Sequence, residues 1–126
     1  MIYRDFEQTK SGLVIHSATE HGDEFVSWKD DPGAVADLGR LPKLERVFFE
    51  MLAKRRLGGL LSYDEMRKLW GDDRIVEMNS LQRVASDVRS WLAESGLGRY
   101  VKLPPARKYD GGYRLVKRRN DEAAVQ

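Results

Sequence analysis

Apolar residues change their spacing at Leu41, and that change constrains the fold more than any other feature of the chain. Before it the sequence reads as strand and turn. "GLVIHS" (12–17) and "EFVSW" (24–28) are short runs of branched and aromatic side chains. The "TEHGD" between them carries a turn glycine, so the two runs predict a hairpin. "DDPG" (30–33) is a second turn signal, and "AVADLG" (34–39) after it predicts a brief edge strand. From Leu41 the period becomes helical. In "LPKLERVFFEMLAKRR", Leu44, Val47, Phe48, Met51 and Leu52 recur three and four residues apart, and Phe48 and Phe49 are expected in the core. Pro42 suits the first turn, while Lys54, Arg55 and Arg56 complement the dipole at the other end.

The next helix is announced at both ends in "LLSYDEMRKLWG" (60–71), after a short extended segment around Gly58 and Gly59. Ser62 with Glu65 three residues on is a capping box, Met66, Leu69 and Trp70 make the buried stripe, and Gly71 ends the helix. Two turns do not persist alone, so this helix needs tertiary support. A third helix, about 79–94, carries Leu81, Val84, Ala85, Val88 and Leu92 on one face, with Asn79 or Ser80 as cap and Gly96 as terminator. Trp91 flanks that stripe, covering its edge or offering a dimer surface. "RYVKL" (99–103) and "GGYRLVK" (111–117) then predict a basic hairpin across "PPARKYD" (104–110), and 120–126 reads as a disordered tail. The expectation is an α+β fold in one domain, 1–119: N-terminal strands 1–40, three helices 41–96 and a hairpin 97–119.

Several function classes are excluded on this reading. The chain has no cysteine, which removes disulfides, thiol catalysis and cysteine zinc sites. No run approaches the ~20 apolar residues of a membrane span. The charged start "MIYRDFEQTK" lacks a signal-peptide core, so a cytoplasmic chain with no membrane partner is expected. His16, Glu20, His21 and Glu24 have no ligand spacing, and no metal is expected. Without a nucleophile motif, a phosphate loop or an acid–base pair, neither an enzyme nor a cofactor is expected. Charge is more informative once divided along the chain. Residues 1–80 hold 12 basic against 15 acidic side chains, whereas 81–119 hold 10 against 3, hidden in an overall charge of +2. Phosphate attraction is local, so a cationic segment of this kind suits a polyanion.

"LPKLERVFFEMLA", "LLSYDEMRKLWG", "LQRVASDVRSWL" and "GRYVKLPPARKYDGGYRLV" resemble, in order, the first helix, the second helix, the recognition helix and the C-terminal wing of the OmpR/PhoB-type winged helix-turn-helix. The family's second helix opens on Ser and acidic residues and closes on Trp-Gly, and its wing ends in Gly-Tyr-Arg-Leu. The resemblance covers about 12–117, with the N-terminal strands matching the family's leading sheet. It implies a sequence-specific, double-stranded DNA-binding transcription regulator whose third helix enters the major groove, the second supporting it. A chain of 126 residues has no room for the family's receiver domain, so a stand-alone regulator is expected.

The candidate DNA-binding residues follow. Gln82 and Arg83 match adenine and guanine edges, and Ser86 and Ser90 are compact enough for base or phosphate contact. Arg89 lies on the same helix. Arg107 and Lys108 would enter the minor groove or follow phosphates, beside Lys102 and Arg114 on the hairpin strands. Lys117, Arg118 and Arg119 are assigned to non-specific attraction. Arg83, Arg107 and Lys108 are expected to share one side of the molecule. Asp87 stands where the family often has a basic residue; it would accept from cytosine or orient Arg83. The 104–110 loop is longer than the usual wing. The acidic 71–78 loop, which touches RNA polymerase in this family, and Asp87 motivate a second reading: a winged-helix interaction module, such as a phage or plasmid factor acting on RNA polymerase. A homodimer on repeated half-sites is the remaining partner expectation.

Overall fold

The computed structural model describes residues 4–18, 24–69 and 78–118. Strands β1 (Arg4–Gln8), β2 (Leu13–Ala18), β3 (Glu24–Trp28) and β4 (Asp31–Asp37) form an antiparallel sheet in chain order. Side-chain alternation gives the sheet two different faces. Leu13 pairs with Trp28, and Ile15 with Val26 and through it Ala36; this row is buried. The row Phe6–His16–Phe25 occupies the other face. There the His16 ring stacks on Phe25 at 4.3 Å, and its Nε2 lies 2.9 Å from the Ser27 hydroxyl. Among the described residues no group of three His, Asp or Glu side chains is placed to hold a metal; Glu20 and His21 lie outside them.

One turn falls earlier than the sequence predicts. The chain reverses at Lys29–Asp30, and Pro32 and Gly33, expected to be in the turn, lie in β4. Proline lacks an N–H and is confined to edge strands, and β4 is the outer strand of the sheet. The register shift between Ser27 and Trp28 absorbs the change. The predicted edge strand therefore runs from 31 to 37, and Leu38–Arg40 form a 3-10 turn.

Helix α1 (Lys43–Ala53) buries Phe48, Phe49 and Leu52 as expected, but Glu45 and Ala53 complete its buried face, and Leu44, Val47 and Met51 of the predicted spacing are only half-buried. Pro42 stands one residue outside the helix, in the cap position. The Ser11 hydroxyl donates to the Ala53 carbonyl at 2.6 Å and fastens the β1–β2 turn to the end of α1. Strand β5 (Leu60–Ser62) leads into α2 (Tyr63–Leu69), where the capping box is complete. The Glu65 N–H donates to the Ser62 hydroxyl at 3.1 Å, and the Ser62 N–H donates to the Glu65 carboxylate at 3.2 Å. Glu65 also pairs with Arg55, tying the end of α1 to the start of α2. Met66 is buried; the Leu69 side chain, Trp70 and Gly71 lie outside the described residues.

Helix α3 (Met78–Glu94) buries the whole predicted stripe, Leu81, Val84, Ala85, Val88 and Leu92. Removing each larger side chain of that stripe from water favours folding by roughly 1.5–3 kcal/mol before chain entropy is subtracted. Asn79 and Ser80, proposed as caps, sit inside the helix instead. After a 3-10 turn at Gly96–Arg99 come β6 (Val101–Lys102), β7 (Gly112–Arg114) and β8 (Val116–Lys117). The sequence predicts one hairpin here, and the structure divides it. β6 pairs with β8, whereas β7 pairs with β5, Leu61 facing Tyr113. The buried Leu115 marks the division. Tyr113 meets Phe48 and Tyr63 edge-on, so β7 is stitched to α1 and α2 through the core. Among the described residues no helix is long and apolar enough to cross a membrane.

Candidate nucleic-acid interface

Helix α3 turns about 100° per residue, which sets Gln82, Arg83, Ser86, Asp87 and Ser90 opposite the core stripe. All five are exposed. The two flanks of this face differ. Arg89 is half-buried on one of them, and its Nε donates to the Leu103 carbonyl at 2.7 Å. That bond locks α3 to the segment after β6, so part of the Arg89 guanidinium serves the protein. On the other flank Trp91 donates its Nε1–H to the Asp37 carbonyl at 2.9 Å and packs edge-on against Phe49. Trp91 thus closes the seam between α3 and the end of β4.

Each flank borders a cleft. Beside β4 lies one of about 560 Å³ whose walls include the carboxylates of Asp37, Asp87 and Glu94 and the cation Arg40. Beside β6 lies one of about 300 Å³, lined by Leu92, Val101 and Leu103 together with Arg89, Lys102 and Arg118. A polyanion approaching α3 is therefore attracted on the β6 side and repelled on the β4 side. Asp87, whose sequence position put its role in question, belongs to the repelling side.

The loop after β6 is folded back rather than extended. Tyr63, the first residue of α2, donates its N–H to the Gly111 carbonyl at 3.0 Å and its hydroxyl to the Arg107 carbonyl at 2.7 Å. Burial, then the Asp110 carboxylate, push the Tyr63 phenol above its ordinary value of 10.0, which keeps it a donor. Asp110 accepts the Arg107 N–H at 2.6 Å, and Gly111 takes a φ of 82°, which suits glycine. These bonds hold up an exposed Arg107 whose guanidinium lies 5.9 Å from the Tyr109 ring centroid and donates to the Tyr109 hydroxyl at 2.7 Å. Tyr109 is 77% exposed and is a candidate contact that the sequence reading omitted. The signal was present: an aromatic interleaved with Arg107 and Lys108 suits stacking on bases or sugars.

The remaining candidates are dispersed. Lys102 is half-buried on β6. Arg114 is exposed on β7 and makes a long contact, 3.4 Å, to the Gly58 carbonyl. Arg118 is half-buried, with its NH1 donating to the Gly98 carbonyl at 2.8 Å and its backbone N–H to Tyr100 at 2.7 Å. It is a structural residue as well as a charge. The Lys108 side chain, Arg119 and the loop at 71–77 lie outside the described residues. The structure gathers Arg89, Lys102 and Arg118 around one cleft; Arg83 stands apart from them on the open face of α3, and Arg107 on the folded loop. Compared with protein-family models, curated proteins and solved structures, the chain gives no match.

Proposed function

We propose that this chain is a winged helix-turn-helix of the OmpR/PhoB type that binds double-stranded DNA sequence-specifically and regulates transcription. In this reading α2 supports α3, α3 enters the major groove, and the folded loop carrying Arg107 and Tyr109 is the wing tip. One observation carries it. The exposed face of α3 offers Gln82, Arg83, Ser86 and Ser90, small or donor-rich side chains free of the core, beside a flank that concentrates positive charge. The acidic β4 flank fits the same picture, because it directs the duplex toward β6 and the loop.

Selection of bound duplexes from a random pool, followed by titration at two salt concentrations, tests this. A preferred sequence should emerge, with log K falling linearly against log salt. Arg83→Ala should relax preference at one or two positions, whereas Arg107→Ala should weaken all duplexes and lower the salt slope by about one unit. No preferred duplex together with no salt dependence would refute the assignment.

The cleft lined by Asp37, Asp87 and Glu94 favours a second reading, an interaction module whose partner is a basic surface, such as one on RNA polymerase. Capture of core polymerase that survives the double substitution Arg83→Ala, Arg107→Ala would favour it.

A further inference from the structure

The cleft between α3 and β6 has two properties that a phosphate-binding surface does not need. Much of its lining is apolar, from Leu92, Ala93, Val101, Leu103, Pro104 and Pro105. It is also a recess rather than a plane, with about 300 Å³ of space, the lower end of the range typical of small-ligand sites. Three cationic side chains, Arg89, Lys102 and Arg118, share its walls.

The two arginines are fixed in advance. Arg89 is anchored through Nε to the Leu103 carbonyl, and Arg118 through NH1 to the Gly98 carbonyl. A guanidinium held this way loses little freedom when it takes up an anion. An acceptor with negative charge suits two arginines better than a neutral one. A body with apolar surface suits the leucine, valine and proline walls better than a compact inorganic anion does.

From these observations we infer that the α3–β6 cleft is a binding site for a small amphipathic carboxylate of one or two rings, its carboxylate on Arg118 and Arg89 and its ring against Leu103 and Pro104. This goes beyond DNA binding and does not depend on it. Such a ligand would touch α3, β6 and the root of the loop at once.

Heteronuclear NMR titration of the full chain tests the inference, using benzoate, 1-naphthoate and indole-3-acetate, each against its primary amide, with inorganic phosphate as a further arm. Saturable shifts in the amide signals of Ala93, Gly98 and Leu103 are expected with at least one carboxylate, and affinity at least tenfold lower for its amide. Arg118→Met and Arg89→Met should each weaken binding about tenfold. Should either fail to fold, Ala93→Phe, which fills the cleft from an exposed position, should abolish binding while the spectrum stays dispersed. Absence of saturable shifts at millimolar carboxylate, equal binding of acid and amide, phosphate binding as tightly as the carboxylates, or binding that survives Ala93→Phe would each overturn it.

Discussion

Glu50 on α1 and Glu65 on α2 are both glutamates near arginines, yet their surroundings push their acidities in opposite directions. Glu65 accepts the Ser62 N–H and pairs with Arg55, and these contacts hold its carboxyl below the ordinary 4.5. Its ionised form is favoured by folding, so its stabilisation is complete above 4.5 and fades as pH falls through the depressed folded value. Burial, with Glu24 nearby, raises Glu50 despite Lys54 and Arg46. Its ionised form therefore costs stability at neutral pH, and that cost disappears as pH falls through the raised value toward 4.5. At pH 7, Glu65→Gln should lower the thermal midpoint and Glu50→Gln should raise it. Both differences should narrow as pH falls from 7 into the acid range, the Glu65 one last because its folded value is depressed, and thermal unfolding along that range would check this. A Glu65→Gln difference that does not narrow at all as pH falls would mean that packing, not charge, supplies the effect.

Elements hold one another here through a few close approaches. Gly112 lies opposite Ser62 in the β5–β7 pair, and a Cβ on it would stand 2.1 Å from the Leu61 carbonyl oxygen. Gly112→Ala should therefore separate the two strands at a cost of about 3 kcal/mol, read as a fall in Tm of roughly 10 °C. Tyr63→Phe deletes only the bond to Arg107. It should cost about 1 kcal/mol and speed hydrogen exchange in the 107–111 loop, while α3 keeps its protection. At this scale the sequence was informative where order is local. The α3 stripe, the Phe48 and Leu52 positions of α1 and the Ser62–Glu65 box follow from spacing within one helix and appear in the structure, whereas the buried face of α1 is turned toward Glu45, Phe49 and Ala53. What spacing did not disclose depends on distant partners. "GGYRLVK" reads as one strand because nothing in it shows that β5 takes its first half and β6 its second. Arg89 and Arg118 read as free charges because the carbonyls they bind, Leu103 and Gly98, lie 14 and 20 residues away. Pro32 and Gly33 read as a turn because a bulge at Ser27/Trp28 is invisible in β-propensity.

For the molecule as a whole, the distribution of charge decides more than its total. The overall +2 carries little attraction for a polyanion; on the proposed reading it is the contrast between the β4 and β6 flanks of α3 that orients a duplex. Asp87→Asn removes a carboxylate from the repelling flank. It should strengthen binding to all duplexes by up to about fivefold in low salt, the worth of one contact between charges near 4 Å in water. The gain should vanish as salt shortens the screening distance below ~10 Å. A gain confined to one sequence would instead make Asp87 a base reader. The divided last strand also imposes an order of assembly. Neighbouring strands of the N-terminal sheet close over short connections, whereas Leu61 must wait about fifty residues for Tyr113. The meander is thus free to form early, while α1 and α2 gain their final brace only when residues 112–117 arrive. A nascent chain stopped short of its final ribbon would carry a finished sheet beneath helices still waiting for their clasp.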